Sequence, residues 1–474
     1  AEAYIWSSPA LVDVDNNGNI DVVIGASDGK LYALNGVDGN ILWVDTTGGN
    51  VQSSPAVGDI DGDSSPEVVV GSHDHKVYAW NGEDGSQLWT YTTGNHVNAS
   101  PMLKDIDGDD SVEVVICSRD NKIYALNGVD GSFIWSYTTG DWIDAAPALG
   151  DVDNDGGLEV VVGSYDDNVY AVNAEDGSLL WTYTTGGNIF ASAALGDIDG
   201  DDSVEVVVGS WDGNLYVLNG LDGSFSWSYP ISGWAWSSPA IGDIDGDSIL
   251  EVVVGGVDHK VYAINGEDGS LHWSYTTGNG IFSSPALGDI DGDGDLDVII
   301  GSYDHSMYAL NGPDGSYIWS SPTMLEIFSS PALGDIDGDG FLEVVFGGVD
   351  AFIYALNGEN IGVNENTHRT EGPIRMGNAP NPFVTYTSIE YETGASGRVD
   401  ITVYSSLGER ITNLVNSYRK AGVYSINWDG KDDFGRKVPG GTYFIVLISS
   451  QTGTSGDNSA TTLCRKTAKI SLTR

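Results

Sequence analysis

The tetrapeptide SSPA, or a close variant of it, returns every 46 residues, starting at Ser7, Ser53, Ala99, Ala145, Ala191, Ser237, Ser283 and Ser329, with no insertion between copies. A fixed period in the range of about 20–50 residues belongs to propellers, solenoids and arrays, whose repeating unit cannot bury its own faces and must stack on its neighbours. Each copy holds four strand-like segments; in the sixth they are 236–243, 251–256, 260–266 and 270–278, separated by turn signals. The Val-Val-Val run of the second segment does not alternate. That is the pattern of a strand covered on both faces, as in a blade held between two others. The expected fold class is all-β: an eight-bladed β-propeller over residues 1–358, then a linker over 359–375 and a β-sandwich over 376–474.

Between the first two segments of every copy lies a loop of alternating carboxylates. In the seventh copy Asp289, Asp291, Asp293, the backbone of Asp295, and Asp297 stand at positions 1, 3, 5, 7 and 9, with Gly294 at position 6. Calcium is a hard cation that takes six to eight oxygens, and alternate carboxylates on a tightly turned chain converge on one point. The match is to the first half of an EF-hand loop, but a strand follows where that motif has a helix. The other loops keep the register: Asp13, Asp15, Asn17, Asn19 and Asp21; Asp59, Asp61, Asp63, Ser65 and Glu67; Asp105, Asp107, Asp109, Ser111 and Glu113; Asp151, Asp153, Asp155, Gly157 and Glu159. They continue as Asp197, Asp199, Asp201, Ser203 and Glu205; Asp243, Asp245, Asp247, Ile249 and Glu251; and Asp335, Asp337, Asp339, Phe341 and Glu343. The expectation is up to eight Ca²⁺, one per blade, with the first loop weakest because Asn17 replaces a carboxylate.

These residues carry two resemblances. The xxDxDGDxxxEVVVG half resembles FG-GAP repeats, the calcium-loop blades of integrin alpha-chain propellers. The YALNGxDGSxxWxYTTG half resembles the repeat of PQQ-type propellers, in which a tryptophan docks between blades. That second resemblance implies that Trp43, Trp89, Trp135, Trp181, Trp227, Trp273 and Trp319 are inter-blade packing residues. The eighth copy lacks its tryptophan, since the pattern dissolves after Asn357. Its closure falls either to a degenerate strand near 361–363 or to residues 3–6.

Charge separates the two parts. Residues 1–358 hold 6 Lys/Arg against 58 Asp/Glu, and residues 359–474 hold 13 against 11. Eight Ca²⁺ would cancel 16 of the 52 net negative charges of the first part, which otherwise repels itself. A polyanion needs a basic stripe, so nucleic acid is not an expected partner. No apolar run is long enough to span a bilayer and no basic, apolar leader opens the chain, which reads as mature and soluble. The two cysteines, Cys117 and Cys464, form no framework; Cys117 stands where the other copies have glycine, as a buried thiol. Metal rather than sulfur as the stabiliser, with calcium plentiful outside cells, favours a secreted or surface-attached location.

In the families resembled, ligands meet the face opposite the calcium loops. Mapped here, that face carries a variable position at the second-to-third strand tip, Ser27, His73, Arg119, Tyr165, Trp211, Val257, Tyr303 and Val349, to which the fourth-to-first connections add Trp142, Trp234, Trp236, Phe282 and Phe328. Of these, His73, Arg119, Trp142, Tyr165, Trp211, Trp234, Trp236 and Tyr303 are the candidate ligand-binding residues. Aromatic rings with acids nearby suit sugar rings or a protein loop, and equally suit rim packing. His75, His259 and His305 share a tip position with Gly29, Asn121, Asp167 and Gly213 and read as turn residues tolerant of left-handed backbone. No GxSxG, HExxH or phosphate loop is present, and a PQQ dehydrogenase would need an adjacent cysteine pair that the chain lacks.

From about residue 374 the texture changes to short alternating strands. PNPF, YSSLGERI and WDGKDDFGRKVPGGTYF resemble the FlgD-like Ig domain and the C-terminal sorting domain of type IX secretion substrates, with Trp428 and Tyr443 expected in the sandwich core. The resulting expectation is a non-catalytic extracellular propeller that works in adhesion, ligand binding or assembly, with an extracellular protein or glycan as partner and self-association open. The alternatives are a subunit of an extracellular filament or surface layer, and a calcium-dependent polysaccharide lyase, which should carry unusual polar residues converging at the axis.

Overall fold

The computed structural model describes residues 4–338, 340–357, 374–379, 387–393, 397–405, 410–420, 422–432, 434–439, 441–452 and 461–472. Two compact units divide the chain, Ala1–Val363 and Asn364–Arg474.

In the first unit the described residues form eight successive antiparallel sheets, seven of four strands and the last of three. The first sheet runs Ala10–Val12, Asp21–Gly25, Lys30–Asn35 and Ile41–Thr46, each strand pairing with the next. The first strand is only three residues long in every sheet; in the sixth it is Ala240–Gly242, so 236–239, read from the sequence as strand, lies outside the ladder. Pro239 explains this, because proline cannot donate to a ladder. Every second strand is buried along its whole length, Glu67–Ser72 for example, as its unbroken apolar run requires.

The cores lie between sheets rather than within them. Ile60, Val69, Ala79 and Trp89 of the second sheet pack with Val114, Ile116, Tyr124 and Leu126 of the third. Such packing leaves two open ends unless the ring closes, and it does. Val22 and Leu11 of the first sheet pack with Ile336 and Val345 of the eighth. The peptide N–H of Ile5 donates to Gly348 O at 3.3 Å, the counterpart of Val51 N to Ala26 O between the first and second sheets. The segment from Tyr4 to Trp6 thus fills the connection into the first sheet, the place that 50–52 fills in the second; a fourth strand of the eighth sheet, for which the sequence offers 361–363 or residues 3–6, is not among the described residues.

A ring of side chain to backbone bonds runs around the axis at the period of the repeat. Ser8 N donates to Ser54 Oγ and Ser54 N to Ser100 Oγ, and the ladder resumes at Ala146 N to Ser192 Oγ and continues through Ser238, Ser284 and Ser330. It returns from Ser330 N to Ser8 Oγ at 3.0 Å. The link from Ser100 to residue 146 is missing because Ala146 has no hydroxyl.

The second unit is a sandwich of two sheets. Ile374–Ala379, Thr387–Thr393 and Gly422–Trp428 form one; Arg410–Arg419, Gly397–Ser405, Gly441–Thr452 and Thr461–Leu472 form the other, in that order. Alternate residues Val399, Ile401 and Val403 lie beside Ile445 and Leu447 in one sheet and join Ile389 and Tyr391 of the other in one core, where the Trp428 and Tyr443 rings meet edge to face at 5.1 Å. Ile374 and Arg375, placed in the linker by sequence, already pair with Thr393 and Glu392. The rest of the linker lies outside the described residues.

Candidate functional site

Antiparallel strands put the first-to-second and third-to-fourth connections on one face of the ring, and the second-to-third and fourth-to-first connections on the other. The carboxylate loops occupy the first face. In each loop backbone N–H groups organise the acids: Asp59 accepts from Gly62 N at 2.7 Å and Ser64 N at 3.0 Å, Asp61 from Asp63 N at 3.1 Å, and Asp63 from Ser65 N at 2.7 Å. Position 6 is left-handed throughout, at Gly18, Ser64, Asp110, Gly156, Asp202, Ser248, Gly294 and Gly340. Glycine is therefore favoured there but is not obligatory.

Position 9 differs from the others. Asp21, Glu67, Glu113, Glu159, Glu205, Glu251, Asp297 and Glu343 begin the second strands and are at most 5% exposed. One carboxylate oxygen of each accepts from the backbone N–H of position 2, from Val14 and Ile60 through Ile336, at 2.9–3.2 Å. The second oxygen of Asp21, Glu67 and Asp297 is buried without a hydrogen-bond partner among the described residues. In the third and fifth loops it accepts from the Ser111 and Ser203 hydroxyls instead. Burial pushes the Glu67, Glu159, Glu251 and Asp297 carboxyls up to about 7, and the charge of the neighbouring loop acids pushes in the same direction. Ligand oxygens of Asp13, Asp15 and Asp21, of Asp105, Asp107 and Glu113, and of Asp151, Asp153 and Glu159 lie within 4.8 Å of one another. Converging oxygens, a buried carboxylate with an oxygen left over, and mutual repulsion form a donor set that suits a hard divalent cation. Position 7 turns its N–H onto the position-5 side chain, as Ile249 N does onto Asp247. Asp339 lies outside the described residues.

On the opposite face six of the eight candidate residues assemble into one arc. Trp142 and Tyr165 rings lie 6.1 Å apart, Tyr165 and Trp211 5.6 Å, Trp211 and Trp234 5.1 Å in a stack tilted by 18°, and Trp211 and Trp236 5.5 Å. Tyr303 joins through Phe282 at 5.3 Å. A column of residues just before the serine ring completes the picture: Phe190, Trp236, Phe282, Phe328 and Trp6 touch in sequence at 4.1, 5.6, 5.5 and 5.9 Å. In the three remaining sheets the same column holds Gln52, Asn98 and Asp144. The mouth of the ring is therefore split into an aromatic arc over five consecutive sheets and a polar arc over three.

The polar arc is tightly organised. Arg119 donates from Nε and Nη2 to both oxygens of Asp144, at 2.8 and 2.7 Å, and the Tyr165 hydroxyl donates to Asp144 at 3.1 Å. The Arg119 guanidinium also lies 5.0 Å from the Trp142 ring. The His73 and His96 rings lie 4.7 Å apart, tilted by 41°, and the Asn98 side chain hydrogen-bonds His73. Burial, with the charge of His96 and Arg119, holds the His73 imidazole below its usual range. Sequence reasoning missed His96, Asn98, Asp144 and Phe190. Reading the 46-residue column that holds Trp236 would have found three of them, since 98, 144 and 190 stand in it.

Other residues of this face belong to the frame. His75, His259 and His305 adopt φ of 72°, 73° and 70° at the strand tips. The Asp that follows the variable tip residue, seen in sequence only as a turn acid, joins adjacent sheets: Asp120 accepts from Tyr124 Oη in its own sheet and from Gly94 N in the one before, both at 2.6 Å. Cys117 is fully buried in its strand.

A β-propeller family model described as "Beta-alanine-activating enzyme, beta-propeller" matches residues 94–396. A model described as outer membrane protein assembly factor BamB matches 6–113, and the FlgD Ig-like domain matches 384–453. No curated protein matches. Among solved structures the chain is similar to the computationally designed Ika8 protein (18% identity, TM-score 0.59, 75% of this chain and 97% of that one). It is also similar to Saccharomyces cerevisiae Sqt1 (15%, 0.60, 76% and 97%) and to BamB from Moraxella catarrhalis (18%, 0.51, 74% and 99%). At these identities the likeness is one of fold.

Proposed function

The chain belongs to the β-propeller family described as that of the beta-alanine-activating enzyme, and from that premise we propose that it is a calcium-braced, non-catalytic binding propeller working at or outside the cell surface. The observation that carries the calcium reading is the buried position-9 carboxylate, repeated in all eight sheets, with an oxygen that has no partner among the described residues at Asp21, Glu67 and Asp297. Each ion would tie the loop to the buried second strand and neutralise acids packed within a few ångströms. Binding only to the folded state, it would stabilise by mass action, by about 2.7 kcal/mol per site at a hundredfold excess over Kd. The match of residues 6–113 to an outer membrane protein assembly factor supports binding or assembly over catalysis. The opposite face, with its organised mouth, is where a ligand would bind. The Ig-like module would serve as secretion address or attachment point, and the acidity of the propeller speaks against a nucleic-acid partner.

Calorimetry of the full chain tests this. Titrated Ca²⁺ should bind with several equivalents per chain, and chelator should lower the melting temperature steeply; no heat of binding and an unchanged melting temperature would refute the calcium reading. Light scattering on the same samples decides whether calcium also drives ordered self-association, the filament or surface-layer alternative. The convergence of His73, Asn98, Arg119, Asp144 and Tyr165 at the mouth favours one second reading, a calcium-dependent polysaccharide lyase. It predicts rising ultraviolet absorbance from unsaturated products when acidic polysaccharide is added.

A further inference from the structure

The mouth is chemically lopsided in a way that points to its occupant. Its aromatic arc offers ring faces to solvent, with Trp142, Trp234 and Trp6 at 43%, 51% and 41% exposure. Flat apolar faces beside a polar cluster suit a ligand that is apolar on one side and hydrogen-bonding at its edges. Beside the rings stand the half-buried side chains of His73, Asn98 and Arg119. A ligand bearing hydroxyls suits such a mixed set, because a hydroxyl both donates and accepts.

Charge narrows the class further. Arg119, the cation of this cluster, is already held by both oxygens of Asp144, whose side chain is 1% exposed. The pair is neutral as a unit. The surrounding propeller carries a large negative excess that repels anions. An acidic sugar or acidic peptide gains nothing here. A protein loop would need to match both the flat rings and the polar side chains of neighbouring sheets, whereas a chain of pyranose rings presents ring faces and hydroxyls at regular intervals.

We propose that the mouth between the Trp211–Trp234–Trp236 stack and the His73–Asn98–Arg119–Asp144 cluster binds an uncharged pyranose oligosaccharide, which rests on the reading that this face is the binding face. The rings stack on the sugar faces and the polar arc takes hydroxyls. Trp234, exposed and stacked on Trp211, supplies a platform whose removal leaves the core intact.

The experiment is isothermal titration of the calcium-loaded full chain with cellohexaose, xylohexaose, mannohexaose and, as the charged arm, hexagalacturonate, with tryptophan fluorescence in parallel. One or more neutral hexasaccharides should bind at one per chain and shift the fluorescence. Trp234→Ala should weaken that binding about tenfold or more, equivalent to about 1.4 kcal/mol, without moving the melting temperature. Asn98→Ala should weaken it as well. Binding of hexagalacturonate alone, or of none of the four at millimolar concentration by folded protein, overturns the inference. A protein captured by the wild-type chain but not by Trp234→Ala would leave the binding face standing and the glycan inference refuted. Loss of both would refute the face itself, whatever the calcium titration gives.

Discussion

The indole of Trp89 donates its N–H to the carbonyl oxygen of Gly128, 39 residues further on and one sheet away, at 2.7 Å. The same bond joins Trp43 to Gly82, Trp135 to Ala174, Trp181 to Gly220, Trp227 to Gly266 and Trp273 to Gly312. Gly131 lies against the Trp89 ring, with φ of 69° and room for no side chain: a Cβ there would stand 2.5 Å from the ring. The docking tryptophan is thus a hydrogen-bonded rivet as well as an apolar one.

Two substitutions separate these contributions. Trp89→Phe keeps most of the ring and strands the Gly128 carbonyl, and should cost about 1–2 kcal/mol. Gly131→Ala adds both strain and a clash and should cost at least as much. Urea denaturation in millimolar Ca²⁺, followed by circular dichroism, measures both; an unchanged midpoint for either contradicts its assigned role.

Asp120 binds Tyr124 Oη and Gly94 N with one oxygen, so it holds two sheets at once. Tyr124→Phe should destabilise by about 1 kcal/mol, and Asp120→Ala by about 2–3 kcal/mol, because the latter also frees the Gly94 amide. Equal effects in the denaturation midpoint would show that the link between sheets contributes nothing.

The break in the axial ladder at Ala146 can be repaired. Ala146→Ser offers Ser100 N the acceptor that Ser54, Ser192 and the others receive. The expected gain is about 0.5–1.5 kcal/mol, read as a higher melting temperature. A lower one would mean that the local backbone, rather than the missing hydroxyl, sets the gap.

Glu67→Gln should change sign with calcium. Glu67 is fully buried with one oxygen unmet, so the neutral amide should leave the chelated protein as stable as wild type or more so. In calcium it should lower stability, because a ligand charge is lost. Loss of stability in both conditions would assign Glu67 a purely structural role. Restoring a carboxylate in the first loop with Asn17→Asp should strengthen that site in the same titration.

Arg119 and Asp144 form a pair whose breaking is asymmetric. Arg119→Ala leaves a buried carboxylate and should cost about 3–5 kcal/mol, while adding Asp144→Asn to it should recover most of the loss. A double variant no more stable than Arg119→Ala alone would show that Arg119 acts through packing on Trp142.

The propeller architecture was legible because it is periodic: each 46-residue copy restates its strands, turns and docking tryptophan, so a single misread copy is outvoted by its neighbours. The carboxylate loops were legible for the same reason, and because their spacing lies within nine consecutive residues. The mouth was less so. Trp211, Trp234 and Trp236 stood out as departures from the repeat, but Asp144 and Asn98 are ordinary residues at unremarked positions. The burial of position 9 was hidden as well, since a Glu at the head of a strand looks the same whether it faces solvent or a neighbouring sheet.

By itself the sequence determined the repeating unit, its strand order, the acidic face and the sandwich that follows, since all of these depend on contacts within one copy or between identical copies. Only the tertiary structure decided how the ring closes, through Ile5 and Gly348 and through Ser330 and Ser8, which are more than 300 residues apart. It alone decided that His73, Asn98, Arg119, Asp144 and Tyr165 meet while the aromatic rings gather on the other side. The physical reason is that closure brings successive copies around one axis, where residues about 46 apart become neighbours and the small differences between copies are summed into a single site.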